Sequence, residues 1–153
     1  MTGITQTGWY DVCDKNVSMT AETLVVGTPT IIPHDSPDGR HSAFFEDDGE
    51  TDYFYALDLL RTPDRSLDAM HIYSVVNVVD RDRPSRIDIV WSRDGLKCAL
   101  LINDYPHAVF DFSGRRGYCR TNFPNFQNPT DGSWMTADHS WSDDVLSWLR
   151  ASE

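Results

Sequence analysis

Two imidazoles and two carboxylates lie close together in the segment PHDSPDGRH, and side chains of these types can bind a divalent metal ion. The four residues are His34, Asp35, Asp38 and His41. Their spacing matches no strong metal-binding motif, and Pro37-Asp38-Gly39 has the composition of an ordinary turn. The segment is therefore either a zinc-type site or a polar turn, and the sequence predicts no cofactor.

The acidic run EDDGETD is a second candidate site. It fails as an EF-hand loop, because placing Gly49 at the required sixth position puts Phe44 at the first ligand position. The remaining interpretations are a solvated hairpin tip, a looser cation site and a surface that binds a partner. The carboxylates concerned are Glu46, Asp47, Asp48, Glu50 and Asp52.

Nucleophilic catalysis would need a cysteine or serine beside a base and an orienting group. Cys119 could meet His107 across neighbouring strands, with Asp111 available. The sequence has no nucleophile elbow, phosphate loop, dinucleotide fingerprint or HExxH motif. The alternative is a structural cysteine and a surface histidine. We therefore predict a non-catalytic protein, with a small-ligand- or metal-dependent enzyme as the alternative.

Three arginines near two glycines could bind an anion, because a guanidinium can grip a carboxylate or phosphate with two hydrogen bonds. Arg115 and Arg116 lie between Gly114 and Gly117, and Arg120 follows them. The alternative is that these arginines pair with the acidic parts of the chain.

The formal net charge is −11, from 24 acidic and 13 basic residues, and it is unevenly distributed. Residues 34–68 carry −7, with ten acids and three bases, whereas residues 69–120 carry +2, with six acids and eight bases. Nucleic acids and anionic membranes favour positive charge, so neither is an expected partner. A basic protein is the partner that the acidic segment suits, because opposite charges speed encounter.

The composition is that of one globular domain, since 40% of the residues are hydrophobic and 12% aromatic. No apolar run approaches the roughly 20 residues that span a bilayer. The first residues lack the pattern of a secretory signal, which favours a cytoplasmic protein. Cys13, Cys98 and Cys119 are odd in number and far apart, so we expect reduced thiols.

Strands are the main elements available to position these side chains. The strongest signal is a hairpin at residues 87–102, with Asp94-Gly95 as its two-residue turn. Pairing across that turn sets Trp91 opposite Cys98, which makes Cys98 a core thiol. The apolar face of the hairpin then consists of Ile87, Ile89, Trp91, Cys98, Leu100 and Ile102.

Further strand signals lie on both sides of this hairpin. We predict strands at residues 23–32, 71–79, 107–112 and 118–122. The DG dipeptide at 48–49 predicts a second hairpin that places Phe44 opposite Tyr53. Aromatic residues occur on both faces of that hairpin, so the pattern does not show which face is buried.

The C-terminal segment changes to a helical period. Ser140 or Ser142 can cap the start of a helix, after a long loop at residues 122–137. One face of the helix would carry Trp141, Val145, Trp148 and Leu149. We therefore predict an α+β fold: one mainly antiparallel, meander-like β-sheet with a C-terminal helix packed on it, in a single domain spanning 1–153.

The phrases EDDGET, INDYPHAVFDF and GYCRTNFP resemble a family of small uncharacterised bacterial proteins that is filed as a domain of unknown function. The resemblance covers about residues 20–140. It implies a bacterial, cytoplasmic, single-domain protein. It implies no activity, so it assigns no catalytic residue.

These observations predict a non-catalytic interaction protein. Its size and acidity are similar to those of immunity proteins that neutralise toxins, so a basic toxin domain is one candidate partner. A structural subunit of a homo-oligomer, most simply a homodimer, is a further alternative. Phe45, Tyr53 and Tyr55 would then supply exposed aromatic surface.

Overall fold

The computed structural model describes residues 17–62, 64–121, 129–135 and 139–150, with the side chains of 17–20 and 150 left out. Within these ranges nine strands form two antiparallel sheets. The strands are β1 (Val17–Leu24), β2 (Thr30–Asp35), β3 (His41–Asp47), β4 (Thr51–Asp58), β5 (Ser66–Ser74), β6 (Ser85–Ser92), β7 (Lys97–Ile102), β8 (Tyr105–Asp111) and β9 (Arg116–Cys119). The sheet orders are β1-β6-β7-β8-β9 and β2-β3-β4-β5.

The expectation of one sheet was wrong, because the two sheets pack on each other through their apolar faces. Trp91 of β6 and Phe110 of β8 lie in the same core as Phe45 of β3 and Phe54 of β4. Both faces of the β6–β7 hairpin are buried, so each face needs its own covering layer. A terminal helix covers one face, and the four-stranded sheet covers the other.

The β6–β7 hairpin has the predicted register. Ile87 pairs with Ile102, Ile89 with Leu100, and Trp91 with Cys98. The turn differs from the predicted two-residue turn, because Gly95 has a positive φ of +74° but Asp94 does not, and the Gly95 N–H donates to the Ser92 carbonyl oxygen. The prediction of a core thiol at Cys98 is confirmed, because Cys98 is fully buried and burial raises its pKa far above the ordinary value.

The β3–β4 hairpin is offset from its predicted register by two residues. Phe44 pairs with Tyr55, rather than with Tyr53. The loop is longer than a two-residue turn, because the Asp48 carboxylate accepts hydrogen bonds from the backbone N–H groups of Glu50 and Thr51. A side-chain contact of this kind stabilises a turn that the DG dipeptide alone does not predict.

Two predicted strands, 23–32 and 71–79, have different limits in the structure. Residues 23–32 are not one strand, because the chain reverses at Gly27, whose φ is +95°. Pro33 therefore does not end a strand but lies within β2, an edge strand that tolerates a missing N–H. The strand predicted at 71–79 ends at Ser74 and is followed by a 3₁₀ turn at Val75–Asn77.

The remaining differences concern the last third of the chain. The strand predicted at 118–122 is β9, which ends at Cys119. Within the long loop predicted at 122–137, the described part, 129–135, contains neither helix nor strand. The rest of that loop lies outside the described residues, as do Cys13 and the N-terminal segment on which the signal-peptide prediction rests.

The C-terminal helix packs on the sheet as predicted, but it is short. Ser142 accepts a hydrogen bond from the Asp144 N–H and caps a 3₁₀ turn at Asp143–Leu146, which leads into α1 (Ser147–Arg150). Leu146 and Leu149 are buried against the outer face of the five-stranded sheet. In the described part of the chain, no helix is long and apolar enough to cross a membrane.

A buried carboxylate, Asp68, ties the chain together where β5 meets β9. Its Oδ2 accepts hydrogen bonds of 2.9 Å from Trp134 Nε1 and from His139 Nε2. A methyl group at Gly117 would lie 2.9 Å from the same oxygen, so glycine leaves the space that the carboxylate occupies. Because all of these groups are buried, the bonds hold the segment around Trp134 and His139 on the core.

We expect Asp68→Ala to lower the free energy of unfolding by about 3 kcal/mol, because it leaves two buried N–H donors without their acceptor. Urea denaturation would measure the change. Asp64→Ala is the matched control, since Asp64 is exposed and its carboxylate accepts a local hydrogen bond from the Ser66 N–H. A loss in Asp68→Ala no larger than that in Asp64→Ala would contradict the prediction.

Candidate functional site

The five carboxylates of the acidic run do not form one surface. Asp48 and Glu50 are exposed on the β3–β4 loop, and Glu46 is partly exposed in β3. Asp47 and Asp52 point into the protein and are 1% and 0% exposed. Strand alternation explains the division, because Asp47 and Asp52 share the inward face with Phe45 and Phe54. The outward carboxylates alone are available to a partner.

The predicted metal ligands make separate contacts. His34 Nδ1 lies 3.0 Å from the Ile89 carbonyl oxygen, and the His41 ring stacks on Phe112 at a centroid distance of 4.3 Å. Asp38 accepts hydrogen bonds from the Ser36 hydroxyl and the Arg40 N–H, which lower its pKa. Asp35 is exposed. Among the described residues, no group of three or more His, Cys, Asp or Glu side chains is placed to hold a metal ion.

Cys119 and His107 occupy different environments. The Cys119 thiol is buried and lies 3.5 Å from the His71 carbonyl oxygen and 3.2 Å from Thr121 Oγ1. His107 lines a groove at the end of the sandwich, where burial, and then the Arg120 charge, lowers its pKa to about 4. The contacts of the Cys119 thiol are thus with His71 and Thr121, whereas His107 faces the groove.

The three arginines of the possible anion site are engaged with the protein. The Arg115 guanidinium donates to the Gly132 carbonyl oxygen at 2.6 Å, and the Arg116 guanidinium lies over the Tyr118 ring. Arg120 lies between the rings of Tyr105 and Trp141, at 4.5 and 4.4 Å from their centroids. Its Nη2 is 3.9 Å from Asp143, in agreement with pairing to acidic residues.

The outer face of the four-stranded sheet carries a row of aromatic side chains, which we call the aromatic face: Phe44, Tyr53, Tyr55 and His71. Phe44 stacks on Tyr55 at a centroid distance of 4.4 Å, Tyr53 lies 5.9 Å from Tyr55, and Tyr53 meets His71 edge-on at 5.6 Å. All four remain partly exposed. The outer face of the other sheet, by contrast, is buried under α1 and the turn before it.

Glu46 is part of this surface. It pairs with Tyr53 across the β3–β4 ladder. Burial, followed by the charge and hydrogen bond of Glu46, raises the pKa of Tyr55 to about 12. An anionic carboxylate thus lies among electron-rich rings, and this combination attracts cations. The exposed acids Asp48 and Glu50 extend the negative charge beyond one end of the face.

The inward acids form a second unusual feature beneath the hairpin loop. Asp47 accepts hydrogen bonds from the backbone N–H groups of Gly27 and Gly49. Asp52 borders Asp47 and Tyr73, but within the described residues neither Asp52 oxygen has a hydrogen bond of good geometry. Burial, with a contribution from Asp47, raises the pKa of Asp52 to about 8. One proton therefore leaves a single negative charge on a pair that would otherwise carry two.

The residues that sequence reasoning missed are Phe44 and His71 on the aromatic face, and Tyr73 beside Asp52. Phe45, proposed as exposed aromatic surface, is fully buried, because the outward position of the FF pair belongs to Phe44. The alternation of Tyr53, Phe54 and Tyr55 could have shown which face of the hairpin is buried. Tyrosine suits the solvent-facing side because of its hydroxyl, and phenylalanine suits the core.

The comparison with known proteins identifies the family. Residues 24–150 match the model of a family described as uncharacterized protein conserved in bacteria, DUF2251, and the chain belongs to that family. An uncharacterized protein of Haemophilus influenzae is 36% identical over 129 residues, which cover 84% of this chain and 78% of the relative. No solved structure matches.

We expect the free energy of unfolding to fall as the pH rises from about 6.5 to about 8, because the folded protein there keeps a proton on Asp52 that the unfolded chain has lost, whereas at lower pH the lowered pKa of His107 acts in the opposite direction. Asp52→Asn should flatten this slope in urea unfolding measured at several pH values. Asp48→Asn is the control, since backbone hydrogen bonds lower the pKa of Asp48 and confine its effect to acid pH. An unchanged slope in Asp52→Asn would contradict the assignment.

Proposed function

We propose that this family member is a non-catalytic interaction module that binds a basic protein through the aromatic face. The observation that carries the proposal is the placement of Glu46 among Phe44, Tyr53 and Tyr55. Aromatic rings attract guanidinium and ammonium groups, and a carboxylate at the same place neutralises their positive charge. An arginine or lysine side chain of a partner is therefore the group that this face suits.

The charge around the face favours the same partner. The exposed acids Asp48 and Glu50 lie on the loop at one end, and Asp35 is exposed in β2. Charges at the rim of an interface act mainly on the association rate and are screened by salt. A basic partner should therefore associate quickly at low ionic strength and more slowly at high ionic strength.

The support beneath the face is rigid. Phe45 and Phe54 are paired directly under the outward rings and are fully buried. Phe54 stacks on Phe110 of the opposite sheet at a centroid distance of 4.9 Å. Side chains held by a packed core lose little conformational entropy on binding, which favours affinity.

Immunity proteins that neutralise basic toxin domains are one class that works by covering a basic surface. A toxin gene next to this one would support that assignment, whereas a metabolic operon would favour the small-ligand- or metal-dependent enzyme. The aromatic face also offers the surface that a homodimer would need, so the oligomeric state must be measured in the same experiment.

We expect a synthetic oligoarginine peptide to shift the amide resonances of Phe44, Glu46 and Tyr53 in ¹H–¹⁵N spectra. Glu46→Gln should weaken its binding about fivefold, which corresponds to about 1 kcal/mol. Glu22→Gln is the matched control, because Glu22 is exposed on β1 of the other sheet. Equal effects of the two substitutions would mean that only the overall negative charge binds the peptide.

Light scattering at two protein concentrations distinguishes the homodimer from the proposed interaction module. A monomer at both concentrations leaves the aromatic face open to another protein, as proposed. A dimer that Tyr53→Ser converts to monomer would assign the face to a second copy of this chain and would overturn the proposal.

A further inference from the structure

A groove of about 560 Å³ opens at the end of the sandwich, beside the segment that crosses from β5 to β6. Its volume is in the range of small-molecule sites. The groove is separate from the aromatic face, because Tyr73 of the groove points towards the core while His71 of the same strand points outward. A ligand here would therefore not compete directly with a partner on the aromatic face.

Apolar side chains form one part of the groove. Val26 of the β1–β2 loop and Ile102 of β7 are 6% and 8% exposed, and Val78 packs beside them. Val79 lies on the rim and is 83% exposed, which is costly for an apolar side chain unless something covers it. These surfaces suit the apolar body of a small molecule.

Cationic groups form another part. The Arg81 guanidinium donates to the Val75 carbonyl oxygen at 3.0 Å, a contact that fixes the side chain at the groove. Arg83 also lines the groove and is exposed. Asp80 is the acid that lines the same groove, so the local balance is positive in a protein whose net charge is −11.

Two polar side chains complete the lining of the groove, Tyr73 and His107. The Tyr73 hydroxyl is buried beside the Asp52 carboxyl, so Tyr73 offers its ring to the groove. His107 adds an imidazole that is neutral at pH 7, with one donor and one acceptor.

We propose that this groove binds a small organic anion, with its carboxylate or phosphate at Arg81 and Arg83. The apolar body of the ligand lies against Val26 and Ile102. The imidazole of His107 makes a hydrogen bond to a polar atom of the ligand. Guanidinium groups match both anions with paired hydrogen bonds, so the geometry defines the charged group and leaves carboxylate and phosphate to be distinguished by experiment.

The test is a ¹H–¹⁵N titration of the whole chain with 3-phenylpropionate and with adenosine monophosphate, each up to millimolar concentration. We expect at least one of them to shift Tyr73, Arg83 and His107 together, and the tighter binder shows whether carboxylate or phosphate is preferred. The uncharged amide of 3-phenylpropionate is the ligand control. Equal binding of the amide, or no shift with either anion, would overturn the proposal.

Two variants locate the binding. Arg83→Gln should weaken binding about fivefold or more, and His107→Phe should weaken it while keeping an aromatic ring at this position. Arg93→Gln is the matched control, because Arg93 is exposed at the β6–β7 turn, outside the groove. Spectra of the unliganded variants verify the fold. Binding that Arg83→Gln and His107→Phe leave unchanged, or that Arg93→Gln weakens equally, would overturn the assignment to this groove.

Discussion

The architecture depends on one buried carboxylate that receives donors from distant parts of the chain. Asp68 lies in β5, and Trp134 and His139 come from the segment after β9. These bonds bring the chain back to the seam between the sheets, from which it continues to α1 on the outer face of the five-stranded sheet. The outer face of the five-stranded sheet is thereby covered. That sheet then has a buried cluster on each of its two faces.

The parts of the fold that the sequence predicts are those set by neighbouring residues. The β6–β7 hairpin follows from alternating apolar residues and a DG turn, and its register is as predicted. The packing face of the C-terminal helix follows from its period. In both cases the pattern and the interactions that enforce it lie within one short segment.

The parts that could not be predicted depend on contacts between distant residues. Nothing local to Asp68 shows that Trp134 and His139 will reach it. The loop register changed because one side chain, Asp48, bonds the backbone. The candidate surfaces could not be predicted for the same reason. Glu46 and Asp47 are adjacent acids in the sequence, but Glu46 lies on the outward face of β3 and Asp47 lies on the buried face.

Pro33 restricts the ways in which this protein can meet others. An unpaired strand edge can serve as a template for a strand of another chain, which leads to β-augmentation or aggregation. In β2 the proline removes a backbone donor from the free edge, so a continuous ladder cannot extend there. Recognition at this side of the molecule must then be made by side chains, which discriminate between partners better than a backbone shared by all proteins.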